Sequence, residues 1–223
     1  MLKSTDIIIM KRFAIFDFDG TLFDSIDDVV VCLNEALSKN GFPTLTHDEY
    51  VKRLGGNIEE IVSLVLKDNN TAENIEKVKR TYWEVYHASP KENTLPFEGV
   101  RDVLVELQKR KILLAIHSNR GTDSVRYFID KHLPGIDFAA VEGHDPAYPS
   151  KPSPCAVRWM RRKFNVSRDE QIYIGDSSTD IKTARNAEID CLIVKWGYGF
   201  QEDWEDEYPL ETISDPSQIL KYF

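Results

Sequence analysis

The sequence predicts an α/β fold: a doubly wound, Rossmann-like parallel sheet whose core carries an inserted small α-helical cap domain. Three observations predict it. Short, continuously apolar runs alternate with helix-like stretches, as in a parallel sheet covered on both faces. About 95 residues separate the first apolar run from the second, where a strand–helix–strand crossover needs only a dozen or more. That long interval also reads as helices, which assigns residues 1–22 and 94–223 to the core and 23–93 to the cap.

Taken in order, residues 13–17 form the first strand, apolar until Asp17. Residues 26–40, 47–54, 58–67 and 72–87 read as the cap helices. Gly41-Phe42-Pro43 and Gly55-Gly56-Asn57 break them, and residues 89–96 lead back to the core. A helix follows at 98–109, with Val100, Val103, Leu104 and Leu107 on one face. Strands are then expected at 112–117, 138–141, 171–174 and 191–194, alternating with helices at 123–132, 154–164 and 179–187. The acidic stretch QEDWEDEYPLE, 201–211, reads as a solvated loop before a short C-terminal helix. No internal repeat or low-complexity tract interrupts the pattern.

Composition narrows the function. The chain has 223 residues, 42% of them hydrophobic and 29% charged, as expected of a soluble globular protein. A net charge of −9 disfavours nucleic acid as a partner. No apolar run approaches the ~20 residues of a membrane span, and MLKSTDIIIMKR lacks the features of a signal peptide. Residues 1–9 read as a loose extension before Met10. Cys32, Cys155 and Cys191 are odd in number and widely spaced, and are expected as buried, reduced thiols. The expectation is a cytoplasmic protein, monomeric in the absence of any heptad or apolar interface pattern.

The first strand ends in FDFDGT. Asp19 could simply close a turn with Gly20 and Thr21. Asp17 fits that role poorly, because a carboxylate among apolar neighbours is costly to bury without a partner. Ligands of doubly wound sheets bind beyond the carboxyl ends of the strands, and other strand ends offer partners. Residues 112–117 run into Ser118-Asn119, and 171–174 run into GDSSTD with Asp176 and Asp180. Lys151 precedes Pro152, which keeps it out of a helix and on a loop. Singly, each could be a helix cap or a solvated charge. Together they make an anion-and-metal site. Clustered carboxylates without His or Cys call for a hard cation, most plausibly Mg²⁺. Lys151, Ser118 and the backbone around Gly20 suit the oxygens of a phosphate.

At these residues the chain resembles the haloacid dehalogenase-like superfamily, and in particular its phosphoglycolate phosphatase-like subgroup. DFDGTLFDS, HSNR, the lysine of SKPSP and GDSSTD match four motifs in order and spacing, and LIVKWGYG resembles the segment after the fifth strand. The resemblance implies a Mg²⁺-dependent phosphatase of a small phosphorylated metabolite such as phosphoglycolate. It implies Asp17 as nucleophile, Asp19 as acid and base, and Lys151 and Ser118 as phosphoryl ligands, with Asn119 adjacent. Asp17, the Asp19 carbonyl, Asp176 and Asp180 would serve the metal. Asp19 argues against dehalogenase and phosphonate-cleaving relatives. Glu188 stands where relatives usually have glycine, which predicts a local change in that turn.

RLGGN, residues 53–57, is either a specificity loop, with Arg53 meeting a second anionic group, or a plain interhelical turn. His117 is expected to pack near its strand end. Two other functions fit the motifs: a β-phosphoglucomutase-type sugar-phosphate mutase, and a non-catalytic phosphate-binding module. The intact set of charged residues disfavours the second.

Overall fold

The computed structural model describes residues 10–51 and 56–223. In chain order the elements are β1 (Phe13–Phe16), β2 (Phe23–Asp24), α1 (Ile26–Lys39), α2 (His47–Val51), α3 (Ile58–Leu66), α4 (Ala72–Ala88), β3 (Leu95–Pro96) and α5 (Val100–Lys109). They continue as β4 (Leu113–Gly121), α6 (Thr122–His132), β5 (Ala140–His144), α7 (Cys155–Phe164), β6 (Gln171–Gly175), α8 (Ser178–Ala187), β7 (Asp190–Val194), α9 (Gln201–Trp204) and β8 (Glu211–Ile213). A 3₁₀ helix, Pro216–Tyr222, follows.

Six strands form one parallel sheet in the order β5-β4-β1-β6-β7-β8. The pleat of β1 explains its unbroken apolar run. Ala14 and Phe16 point into a core shared with α5 and α6, while Phe13 and Ile15 point into one shared with α7 and α8. Both faces are buried, so every position wants to leave water; full burial of such a side chain contributes ~1.5–3 kcal/mol. With β1 central, strand order departs to β4 on one side and β6 on the other. The crevice at this switch point opens above the carboxyl end of β1.

Helices α1, α3 and α4 bury a third apolar core, built on Leu33, Leu37, Val62, Val78 and Tyr82. Two chain segments join it to the sheet, paired as the antiparallel β2 and β3. Beside them the buried carboxylate of Asp28 accepts hydrogen bonds from Thr94 Oγ1 (2.6 Å) and Asn93 Nδ2 (3.0 Å), fastening one segment to the other.

Four details depart from the sequence-based reading. The segment read as a solvated loop, 201–211, contains α9 and leads at Glu211 into a sixth parallel strand, Glu211–Ile213, beside β7. Three residues with one fully buried side chain carry too little periodicity to announce a strand. Cys155 is exposed at the start of α7, whereas Cys32 and Cys191 are buried. Glu188 does not change its turn: it adopts the left-handed geometry a glycine would take, at φ 59° as the C-cap of α8, at a cost of roughly 1 kcal/mol. Finally, β4 runs on to Gly121 through a register shift after His117, which carries Ser118, Asn119 and Arg120 to the crevice.

Candidate active site

Asp17 emerges from β1 with its backbone still held by Ile174 O in the sheet. Its Oδ1 lies 2.6 Å from Lys151 Nζ, which is also 2.8 Å from Asp180 Oδ1. Carboxylate oxygens of Asp17, Asp176 and Asp180 lie within 4.8 Å of one another, all three residues buried. Three chain segments far apart in sequence, those of Asp17, Lys151 and Asp176–Asp180, thus converge on one point.

The second oxygen of Asp180 accepts hydrogen bonds from the backbone N–H groups of Asp176 and Ser177 and from Ser177 Oγ. Asp180 therefore caps α8, orients Asp176 and holds Lys151, with both its oxygens engaged. Asn119 brackets Lys151 from the other side: its Oδ1 accepts from Lys151 N at 2.8 Å and its Nδ2 donates to Lys151 O at 3.4 Å. Ser118 Oγ accepts from Arg120 N at 3.0 Å, leaving its proton to donate. Gly20 is required: φ is +80°, and a Cβ there would lie 2.2 Å from Asp176 Oδ2.

Three carboxylates share one ammonium here, and their protonation reflects it. Burial and the neighbouring Asp180 carboxylate hold the Asp17 carboxyl well above its ordinary range, despite Lys151. Burial and Asp180 push Asp176 up to about 7. Burial opposes the charge on Lys151, but Asp17 and Asp180 outweigh it and hold the ammonium firmly protonated. The cluster keeps negative charge to spare, with oxygen as its only donor. A hard divalent cation fits that set on both counts. His117, by contrast, is driven down to about 3 by burial and by Lys151, and packs edge-on against Tyr173.

Asp19 has a different partner. Arg120 grips both its oxygens, with Nη2 2.6 Å from Oδ1 and Nε 3.1 Å from Oδ2. The same guanidinium donates to Ser124 Oγ and to Tyr86 OH on α4, and lies over the Phe18 and Phe128 rings. The ion pair therefore ties the crevice to the helical layer. In the sequence Arg120 is only the last residue of the HSNR motif; a buried bidentate pair requires the strand extension that only the fold provides. Arg53, read as a specificity residue, lies outside the described residues.

Tyr198 was also missed as an individual residue. Its backbone N–H donates to Asp176 Oδ2 at 2.7 Å. Its hydroxyl accepts from the N–H groups of Ser25 (2.6 Å) and Ile26 (3.1 Å) and donates to Asp24 Oδ1 at 2.7 Å. One residue thus caps the start of α1 and orients the Asp176 carboxylate. Replacing Tyr198 by phenylalanine keeps the backbone bond and strands two N–H donors. The expected cost is about 1–2 kcal/mol, read as a lowered urea midpoint at unchanged m-value.

The fold and site define a hydrolase class, and comparison places the chain in it. Residues 14–194 match the family model of the haloacid dehalogenase-like hydrolases, and the chain belongs to that family. Within it the chain is a phosphatase, similar in sequence to enzymes named phosphoglycolate phosphatase. The enzyme of that name from Aliivibrio fischeri is 27% identical over 211 residues, covering 92% of each chain. The one from Aquifex aeolicus is 28% identical, covering 94% of this chain and 95% of its own. Among solved structures, a haloacid dehalogenase-like family protein from Streptococcus pneumoniae superposes with a TM-score of 0.85. It is 22% identical and covers 96% of this chain and 98% of its own, a likeness of fold.

Proposed function

We propose that the protein is a divalent-metal-dependent phosphomonoester hydrolase of a small phosphorylated metabolite, working through an aspartyl-phosphate on Asp17. The observation that supports it best is the ammonium of Lys151 held between Asp17 and Asp180, 2.6 and 2.8 Å away, at the sheet's switch point. In this reading residues 23–93 act as the cap over the core.

Asp17 attacks phosphorus, and the bond from phosphorus to the ester oxygen breaks as the new one forms. Asp19, once it has taken up a proton from solvent and loosened its pairing with Arg120, passes that proton to the departing oxygen. It then takes one from the water that attacks the aspartyl-phosphate, releasing phosphate and restoring Asp17. Lys151 and Ser118 bind the phosphoryl oxygens, with backbone N–H groups near Gly20 completing the cradle. Asn119 and Asp180 keep Lys151 aimed. Asp17, Asp176 and the carbonyl of Asp19 would hold Mg²⁺, supported by Asp180. When bound, the ion supplies charge neutralisation that lets one anion approach another. One copy of the chain provides every group.

The test is phosphate release from an aryl phosphate and from a panel of phosphoglycolate, sugar phosphates, nucleotides and pyrophosphate, with phosphoglycolate, named for the relatives, as reference. Activity should disappear with EDTA and return with excess Mg²⁺. Mg²⁺ should also raise the melting temperature at pH 7, because it relieves the Asp17–Asp176–Asp180 repulsion. Isomerised sugar phosphate without free phosphate would replace the hydrolase by a mutase. Full activity in EDTA would remove the metal.

A further inference from the structure

We propose that the organic part of the substrate is an uncharged group with a broad apolar or aromatic face, larger than a two-carbon acid. This rests on the phosphomonoesterase reading above and names the substrate class that the described cavity fits.

The cavity over Asp17 has a volume of about 380 Å³, within the range that encloses drug-sized ligands and far more than a glycolate ester occupies. Its floor is the polar cluster already described. Its opposite wall is apolar. Val29 of α1, Ile58 and Ile61 of α3, and Tyr82 and Trp83 of α4 line it, and Phe200 stands at the rim, 42% exposed. The Trp83 ring is held edge-on by Tyr82 at 5.1 Å and by Tyr86 at 5.9 Å. It is a fixed flat surface rather than a mobile side chain.

Charge points the same way. Among the described residues lining the cavity, the lysine and arginine cations are Lys151 and Arg120. Lys151 is engaged by Asp17 and Asp180, and Arg120 by both oxygens of Asp19. Releasing Arg120 to a substrate would break its bidentate pair with Asp19 and its bonds to Tyr86 and Ser124. The other charged groups on the lining, Asp176 and Asp203, are acidic. A carboxylate on the leaving group would therefore lose its water against Val29, Ile61 and Trp83 and find no unengaged lysine or arginine among the described residues there. A ring, or the carbon face of a sugar, would bury apolar surface against the same wall.

The experiment compares three alkyl esters with similarly basic leaving oxygens, each with saturating Mg²⁺: benzyl phosphate, glycerol phosphate and phosphoglycolate. Benzyl phosphate is expected to exceed phosphoglycolate in kcat/KM by about tenfold or more, with glycerol phosphate below benzyl phosphate. Trp83→Ala should lower kcat/KM for benzyl phosphate by about tenfold and for phosphoglycolate by less, and Trp83→Phe should restore most of the difference. Phosphoglycolate matching or surpassing benzyl phosphate overturns the inference and leaves the hydrolase intact. So does an equal loss on all three esters in Trp83→Ala. Should that variant fail to fold, the wild-type ranking alone decides. Turnover of none of the three would remove the hydrolase reading and the inference together.

Discussion

Asp17→Asn is expected to lower kcat on every phosphate ester by on the order of 10⁴-fold or more, while leaving the folded protein as stable as the wild type or more so. The two halves of this result have one cause. The amide has the size of the carboxylate but cannot form the acyl-phosphate, so the nucleophile is lost without a change of shape. It also carries no charge. The Asp17 carboxyl is raised by burial and by Asp180, so the folded protein binds its proton more tightly than the unfolded chain. The sign follows. Ionising Asp17 costs stability as pH rises above its ordinary value of 3.8, and that cost is in force at neutral pH. The variant escapes it, and its advantage should shrink as pH falls to 4 and vanish below 3.8, where both states are protonated. Urea denaturation of metal-free wild type and variant from pH 4 to 8 checks the stability half. A variant destabilised at pH 7 but not at pH 4 would reverse the assignment of charge in the cluster.

The separation of effects also explains what could be read in advance. Asp17 was legible because a carboxylate closing an apolar strand has no cheap structural excuse. Asp176, Asp180 and Lys151 were legible as positions at strand ends and on a pre-proline loop, since connectivity fixes which ends face the crevice. What each oxygen does was not. Asp180, expected to support the metal, also holds Lys151 and, through its other oxygen, the N–H groups of Asp176 and Ser177 just ahead of α8. Asn119, expected beside the phosphoryl group, also brackets the backbone of Lys151. These assignments depend on tenths of an ångström at the ends of side chains, which residue type and spacing do not encode. Arg120 and Tyr198 were hidden for another reason. Each acts between layers, Arg120 joining Asp19 to α4 and Tyr198 joining Asp176 to the start of α1. Contacts of that sort arise from packing two units separated by long stretches of chain. The strand β8 escaped notice because an edge strand of three residues borrows its order from β7.

Lys151→Met should produce the opposite pattern from Asp17→Asn: stability and activity fall together. The methionine side chain fills nearly the same buried space, so packing is kept while the one ammonium among three carboxylates is removed. Asp17 and Asp180 then face each other without a counter-charge, and a broken buried pair of this kind costs about 3–5 kcal/mol. The lysine is held above its ordinary pKa of 10.5 by Asp17 and Asp180, against the pull of burial. Its contribution is therefore complete at pH 7 and would be surrendered only as pH rose beyond 10.5. The loss in the variant should shrink toward acid pH for a different reason: the remaining carboxylates take up protons and stop repelling. Mg²⁺ should return part of the stability at pH 7. It should not return activity, because the phosphoryl oxygens still lack their ammonium donor, a loss of roughly 10²–10³ in kcat. Adding Asp180→Asn to Lys151→Met removes one of the two opposed carboxylates. It should recover stability further while kcat stays low. If the double variant regained activity along with stability, Lys151 would be a scaffold for the acidic cluster and its role as a phosphoryl ligand would have to be given up.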